Sequence, residues 1–162
     1  MKNILTYVTL ILVFVLQSTI CRHIEILHTI PNLMLVFVVC YCMHAEPVKA
    51  TILSGIAGLI MDVFVAKHLG LNTLMMMYLG LALSYISSDY IRTNFFTVII
   101  LTALSTLLYE GVYGFLVYFI FNKVTTSVLL SVISLEAVYN TVVACGFVWL
   151  GRYLAYDEVR SF

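Results

Sequence analysis

The sequence predicts an all-α integral membrane protein, a compact bundle of about six transmembrane helices. Three observations support this fold class. First, 63% of the residues are hydrophobic. Second, only 10% are charged, whereas about a quarter of the residues of a soluble protein carry a charge. Third, long apolar stretches follow one another with short polar turns between them.

Six apolar stretches divide the chain, and each is expected to form one transmembrane helix. They cover residues 4–20, 30–43, 50–66, 69–87, 95–121 and 128–150. The turns between them are too short to fold as an extramembrane domain. Residues 1–162 are therefore expected to form a single transmembrane domain, which acts through its helices and their ends.

The first stretch resembles a signal peptide but is expected to be retained. Its 17 residues, Ile4–Ile20, exceed the usual apolar region of about 7–15 residues in a signal peptide. In addition, Gln17-Ser18-Thr19 is not a small-residue cleavage site. The stretch therefore predicts a first transmembrane helix.

The second stretch, 30–43, is the shortest of the six and leaves two topologies open. It has 14 residues, whereas a span needs about 20. Pro31 is expected in the first helical turn, where its missing N–H does no harm. The preceding segment Ile24–Leu27 would lengthen the span, or the membrane would be thin around it. Alternatively, the stretch is an interfacial or re-entrant element and the chain has five spans.

The third stretch carries a carboxyl group inside an apolar helix. Residues four apart share one stripe of a helix, and this stripe contains Ala50, Ser54, Gly58, Asp62 and Ala66. Small residues let a second helix approach closely in a membrane, where an ionisable group is costly. Asp62 is therefore expected in a helix interface. The simplest interpretation is a packing stripe with one acid hydrogen-bonded near the membrane surface.

The later stretches carry similar stripes of small and polar residues. These are Gly80, Ser84 and Ser88 in the fourth, Thr102, Thr106, Glu110 and Gly114 in the fifth, and Glu136, Asn140 and Ala144 in the sixth. Four helices therefore have an interior face. This pattern predicts a compact bundle with a polar seam.

Three acids, Asp62, Glu110 and Glu136, lie within the predicted spans. Because no Lys or Arg lies at a comparable depth in a span, each acid is expected to be protonated or to accept hydrogen bonds from neutral donors. The candidate donors are Tyr109, Tyr113, Tyr139 and Asn140. The acids could line a proton or cation path, form a docking groove for another protein's helix, or be separate hydrogen-bonded packing groups.

No catalytic or metal-binding pattern is visible in the sequence. There is no G-x-S-x-G, Walker or H-E-x-x-H motif, and the cysteines and histidines do not have metal-ligand spacing. The net charge is zero, with eight basic and eight acidic residues, so nothing indicates a nucleic-acid surface. We therefore expect no enzyme activity, cofactor or metal.

Six spans would place both termini on the same side of the membrane. That side would carry Lys2, Lys49, Arg92, Arg152 and Arg160, and the other side Arg22, Lys67 and Lys123. Cytoplasmic segments carry the excess of Lys and Arg. This five-to-three distribution therefore favours cytoplasmic termini.

An ordered set of short motifs gives the chain a family resemblance. The motifs are Leu16-Gln17-Ser18-Thr19, Pro31-Asn32-Leu33, the polar turn 44–49, the segment Gly55 to Asp62, the segment Leu69 to Leu74, and Tyr139-Asn140. In this order and at these intervals, the sequence resembles the bacterial rod shape-determining protein MreD family over most of its length. Glu136 departs from the less acidic sequence expected before the Tyr-Asn pair.

The resemblance implies a non-enzymatic component of the cell-elongation machinery in the bacterial inner (cytoplasmic) membrane. Such proteins bind the single-span scaffold MreC. Through MreC they connect MreB filaments with the RodA and class B penicillin-binding protein synthase, in lateral peptidoglycan synthesis and cell-shape control. The resemblance also implies a fold similar to the substrate-binding subunits of energy-coupling-factor vitamin transporters. The alternative function is therefore such a subunit, or a small proton-coupled transporter, with the same acids as ligands.

The stripes and motifs together give the candidate residues of a pocket or partner interface. These are Asn32, Ser54, Gly58, Asp62, Glu110, Glu136 and Asn140. A transporter would be expected to have broken helices near the midplane or a repeat that relates its halves. No convincing repeat is visible, and few Gly or Pro residues interrupt the predicted spans. Together with the family resemblance, this favours the interaction protein.

Overall fold

The structure is a computed structural model that describes residues 2–19, 29–65, 70–86, 95–121 and 133–148. These residues form six helices. The helices are α1 (Lys2–Thr19), α2 (Leu33–Cys42), α3 (Pro47–Phe64), α4 (Leu71–Ile86), α5 (Phe95–Phe121) and α6 (Ile133–Val148). The described part of the chain is thus helical, as the apolar pattern predicts.

The start of α2 differs from the prediction that Pro31 lies in its first helical turn. Asn32 is the N-cap, and its side-chain oxygen accepts a hydrogen bond from the backbone N–H of Leu35 at 3.1 Å. An Asn at this position satisfies an amide that has no partner within the helix. The helix therefore begins after Asn32, and Pro31 lies outside it. The expected proline start is found instead in α3, where Pro47 is the first helical residue.

Helix α2 lies at the centre of the bundle because it is apolar on every side. Its six consecutive residues Met34–Val39 are each at most 8% exposed, and it contacts α1, α3, α4 and α5. A helix without a polar face is buried all round. The surrounding helices expose large apolar side chains on their outer faces, among them Leu59, Tyr78 and Tyr85, a surface typical of contact with a membrane.

Helices α3 and α4 pack along the predicted stripe of small residues. The described members of the stripe, all buried, are Ala50, Ser54, Gly58 and Asp62; Ala66 lies outside the described residues. A methyl group on Gly58 would lie 2.5 Å from the backbone oxygen of Asn72, and one on Gly80 would overlap the hydroxyl of Ser54. The two backbones therefore approach as closely as small residues allow.

Two of the described helical segments, Pro47–Phe64 and Phe96–Leu116, are long and apolar enough to cross a membrane. Four shorter apolar helices accompany them, with 10–17 residues each: Ile4–Thr19, Leu33–Cys42, Leu71–Ile86 and Ile133–Val148. Length and composition therefore mark α3 and α5 as the clearest candidate spans in the described part of the chain.

Candidate functional site at the polar end of the bundle

Buried polar contacts gather at one end of the bundle, which we call the polar end. Helices α1 and α3 end here, and α2 and α4 begin here. The evidence is that side chains near the ends of α1 and α3 bind the first turns of α2 and α4. It is defined by Gln17, Asn32, Asp62, Asn72 and Glu136. Consecutive helices from α1 to α4 therefore run in opposite directions.

At the polar end, Asp62 of α3 caps the first turn of α4. It is 1% exposed, and its Oδ1 accepts a hydrogen bond from the backbone N–H of Asn72 at 3.1 Å. Its Oδ2 accepts hydrogen bonds from the backbone N–H of Thr73 at 2.9 Å and from the Thr73 hydroxyl at 2.5 Å. The first amides of a helix have no partner within it, and an acid near a helix N-terminus is favourable. A neighbouring helix thus supplies the cap of α4.

The start of α4 is also tied to α5. The side-chain oxygen of Asn72 accepts a hydrogen bond from the hydroxyl of Tyr109, and both residues are buried. Just before the helix, Gly70 has a φ of +95°, a conformation that glycine adopts without a steric penalty. The turn therefore delivers the amides of Asn72 and Thr73 to Asp62.

The start of α2 is capped by two side chains. Besides Asn32, which binds the N–H of Leu35, Gln17 of α1 accepts a hydrogen bond from the backbone N–H of Met34 at 2.9 Å. The Gln17 amide nitrogen contacts the sulfur of Met61 at 3.6 Å. Gln17 therefore links the end of α1 to α2 and α3.

A buried network around Asn140 joins α2, α5 and α6. The side-chain oxygen of Asn140 accepts a hydrogen bond from the backbone N–H of Asn32 at 2.8 Å. Its amide nitrogen donates to the hydroxyl of Thr106 at 3.2 Å, and that hydroxyl donates to the Thr102 carbonyl at 2.9 Å. Because Asn140 is fully buried and both ends of its amide are satisfied, the network fixes the three helices relative to one another.

Glu110 of α5 and Glu136 of α6 lie side by side, with their carboxyl groups within hydrogen-bonding reach. A hydrogen bond between two carboxyl groups needs a proton on one of them. Asp62 is not part of this pair, since its oxygens are occupied at the start of α4. The structure therefore brings two of the three predicted acids together and gives the third a separate role.

A cavity of about 430 Å³ opens beside the carboxyl pair. Its apolar walls are formed by Phe14, Ile30, Pro31, Met61, Phe64 and Val65, and its polar lining by Gln17, Ser18, Asn32 and Glu136. Ligand sites are typically concave, mostly apolar and equipped with a few polar groups. The cavity has this composition, and Glu136, which is 9% exposed, is its acidic residue.

The predicted site residues divide between this cavity and the helix interfaces. Asn32 and Glu136 line the cavity. Glu110 pairs with Glu136, and Asn140 accepts a hydrogen bond from the backbone N–H of Asn32. Ser54 and Gly58 lie between α3 and α4 instead. Among the described residues, no group of three or more His, Cys, Asp or Glu could hold a metal ion.

The roles of Gln17 and Thr73 are not predicted from the sequence. Gln17 accepts a hydrogen bond from the first turn of α2, and Thr73, in the first turn of α4, donates from its N–H and its hydroxyl to Asp62. The position of Thr73 does give a signal in the sequence. Thr73 lies in the first turn of a helix that starts after Gly70, and the backbone N–H groups of a first turn need partners outside the helix. The signal for Gln17 is weaker. Its side-chain amide lies near the end of an apolar helix, where that amide needs a hydrogen-bond partner.

The family model described as rod shape-determining protein MreD matches residues 1–156 of the chain. No curated protein matches the chain, and no solved structure matches it.

Proposed function

Because the chain belongs to the MreD family of rod shape-determining proteins, we propose that it is a non-enzymatic membrane component of the bacterial cell-elongation complex. In this complex it binds an MreC-like single-span scaffold and supports lateral peptidoglycan synthesis and cell-shape control. Through the scaffold it is connected indirectly to MreB filaments and to the RodA and penicillin-binding protein synthase. The family match over residues 1–156 carries the proposal, and it confirms the resemblance seen in the motifs.

The use of the buried polar groups supports an assembly role. Asp62 and Asn140 bind groups of neighbouring helices in the same chain, so they hold the bundle together. The outer faces present large apolar side chains, such as Leu59 and Phe96, which can contact lipid or the helix of a partner. A bundle held together by hydrogen bonds between its own helices, with apolar outer faces, suits a protein that organises other membrane proteins.

We further propose that the chain is a multi-pass protein of the inner membrane, with six spans and cytoplasmic termini. The alternation of helix directions from α1 to α4 supports this, since consecutive spans must run in opposite directions. With this orientation the polar end faces away from the cytoplasm. Apart from Lys2 and Lys49, the basic residues used for this orientation lie outside the described ranges.

A second candidate function is that of a substrate-binding subunit of an energy-coupling-factor-type vitamin transporter, or of a small proton-coupled transporter. The observation that favours it is the cavity of about 430 Å³ with Glu136 in its lining, which is large enough for a small ligand. We propose that the chain shares the fold of such subunits. We propose that its function is nevertheless the rod-shape function of the MreD family.

Depletion of the protein in its own bacterium tests the proposed function. Rod-shaped cells are expected to lose their length and become round, and a plasmid copy of the wild-type chain is expected to restore the ratio of length to width. Cells that keep their shape during depletion but lose uptake of a vitamin would contradict the elongation role and favour the transporter subunit.

A further inference from the structure

We propose that the cavity at the polar end receives a lysine or arginine side chain from the membrane-proximal segment of the scaffold partner, and that this side chain pairs with Glu136. The inference rests on the proposed function, because it requires that partner. It deepens that function by naming the contact through which the partner is held.

Charge is the first argument for a cationic occupant. Glu136 and Glu110 face each other, and among the side chains described here the one Lys or Arg is Lys49. Lys49 lies near the start of α3, away from the polar end, and pairs with Glu46 at 2.9 Å. A buried carboxyl group is costly unless it is paired and hydrogen-bonded. An incoming ammonium or guanidinium group would take the place of the proton between the two acids.

The shape of the cavity also suits a long cationic side chain. Lys and Arg bury their methylene stems against apolar surface while the charged head reaches a polar group. The walls formed by Phe14, Ile30 and Phe64 would cover such a stem, and Glu136 lies where the head would bind. The Phe14 and Phe64 rings are 5.4 Å apart, centroid to centroid, and their faces are favourable neighbours for a cation.

The position of the cavity selects a segment at the edge of the membrane. Its lining comes from the last turns of α1 and α3, the residues that precede α2, and the first turn of α6. This is the level at which a single-span partner leaves the apolar layer and its polar segment begins. A long Lys or Arg side chain near the end of a span can reach along apolar surface to a polar group at this level.

Substitution of Glu136 tests the pairing. Glu136→Gln keeps the size and hydrogen-bonding capacity of the side chain but removes its charge, and Glu46→Gln is the matched control at the other end of the bundle. With tagged protein purified in mild detergent, the amount of scaffold retained by Glu136→Gln is expected to fall at least about tenfold, as for loss of one partner of a buried charge pair. Equal retention by Glu136→Gln and wild type would overturn the inference.

A second measurement leaves Glu136 in place, so it does not depend on whether the variant folds. A photo-crosslinking amino acid replaces Phe64 in the cavity wall or, as the control, Tyr78, which is exposed on α4. The Phe64 position is expected to yield a scaffold peptide that contains a Lys or Arg next to its transmembrane segment, and Tyr78 is not. Adducts only with lipid, or only with another segment of this chain, would overturn the inference.

The two proposals fail in different ways. If wild-type protein retains no scaffold and depletion leaves the cells rod-shaped, the proposed function fails, and the inference fails with it. The inference alone fails if wild-type protein retains the scaffold, Glu136→Gln retains it equally well, and the Phe64 position gives no scaffold adduct.

Discussion

Asp62 on α3 holds Thr73 on α4 through a single carboxyl oxygen, which accepts both the backbone N–H, at 2.9 Å, and the side-chain hydroxyl, at 2.5 Å. With the second oxygen on the N–H of Asn72, this fixes the start of α4 against the end of α3. The acid that stands out most in the sequence is therefore used within the chain, and the cavity beside Glu136 is left for a ligand or partner.

Asp62→Ala is expected to lower the free energy of unfolding by about 2 kcal/mol or more. The change removes a helix cap, which contributes about 0.5–2 kcal/mol, and leaves buried donors unpaired, at about 1–3 kcal/mol each. Thermal unfolding of the purified protein in detergent measures the effect. Thr73→Val, which removes only the hydroxyl, should give a smaller loss, and the exposed Glu46→Ala almost none. A loss no larger than that of Glu46→Ala would contradict the capping role.

The same Asp62→Ala change is expected to weaken assembly with the scaffold more than Cys40→Ala. Asp62 holds α3 against α4, whereas Cys40 is a partly buried residue of α2 outside the small-residue stripe. The measurement is the amount of scaffold retained on the tagged protein, normalised to folded protein. Equal retention by the two variants would count against a link between the α3–α4 pair and assembly.

Gly58→Ala is expected to destabilise the protein by about 1–3 kcal/mol, the usual range for overpacking. The new methyl group would lie 2.5 Å from the Asn72 backbone oxygen and 2.6 Å from the Thr73 Cα, and a backbone cannot move aside as a flexible side chain can. Gly111→Ala is the matched control, because no atom of the described residues lies within 4 Å of its added methyl group. Unfolding midpoints that shift equally in the two variants would show that α3 and α4 are not in close contact.

Asn140→Leu is expected to cost about 1–3 kcal/mol, because it leaves the buried backbone N–H of Asn32 without its acceptor. Thr141→Val serves as the control, since the Thr141 hydroxyl donates within its own helix, to the Ala137 carbonyl. The comparison can be made by thermal unfolding and by the yield of monodisperse protein. An Asn140→Leu variant as stable as wild type would rule out a structural role for the network.

Glu110→Gln is expected to leave the folded protein in the membrane at wild-type levels. The Gln amide can donate to Glu136 the hydrogen bond that a carboxyl pair makes with its shared proton. Quantification of the tagged variant in isolated membranes, followed by size-exclusion chromatography, measures this. Loss of folded protein would show that Glu110 must be charged.

Local sequence patterns predicted the features that depend on one helix at a time. The four-residue repeat from Ala50 to Asp62 predicted the face of α3 on which another helix packs, because stripe geometry follows from the helical repeat alone. The prediction that Pro31 lies in the first turn of α2 was wrong. Asn is a common N-cap, and Asn32, the residue after Pro31, caps the helix. Both signals were local, and the capping residue determined where the helix begins.

The contacts between helices could not be predicted in the same way. The bond from Gln17 to Met34 and the pairing of Glu110 with Glu136 depend on how separate helices are placed. No repeat in the sequence encodes that placement. The cavity has the same origin, since it is formed where four chain segments converge.

A pull-down of the tagged protein from its own membranes, with mass spectrometry of the proteins that follow it, tests the central claim most directly. The account predicts recovery of a single-span scaffold together with a glycan polymerase or transpeptidase. Recovery of paired ATPase subunits and a helical coupling protein instead would contradict it, and would make the cavity beside Glu136 a vitamin site.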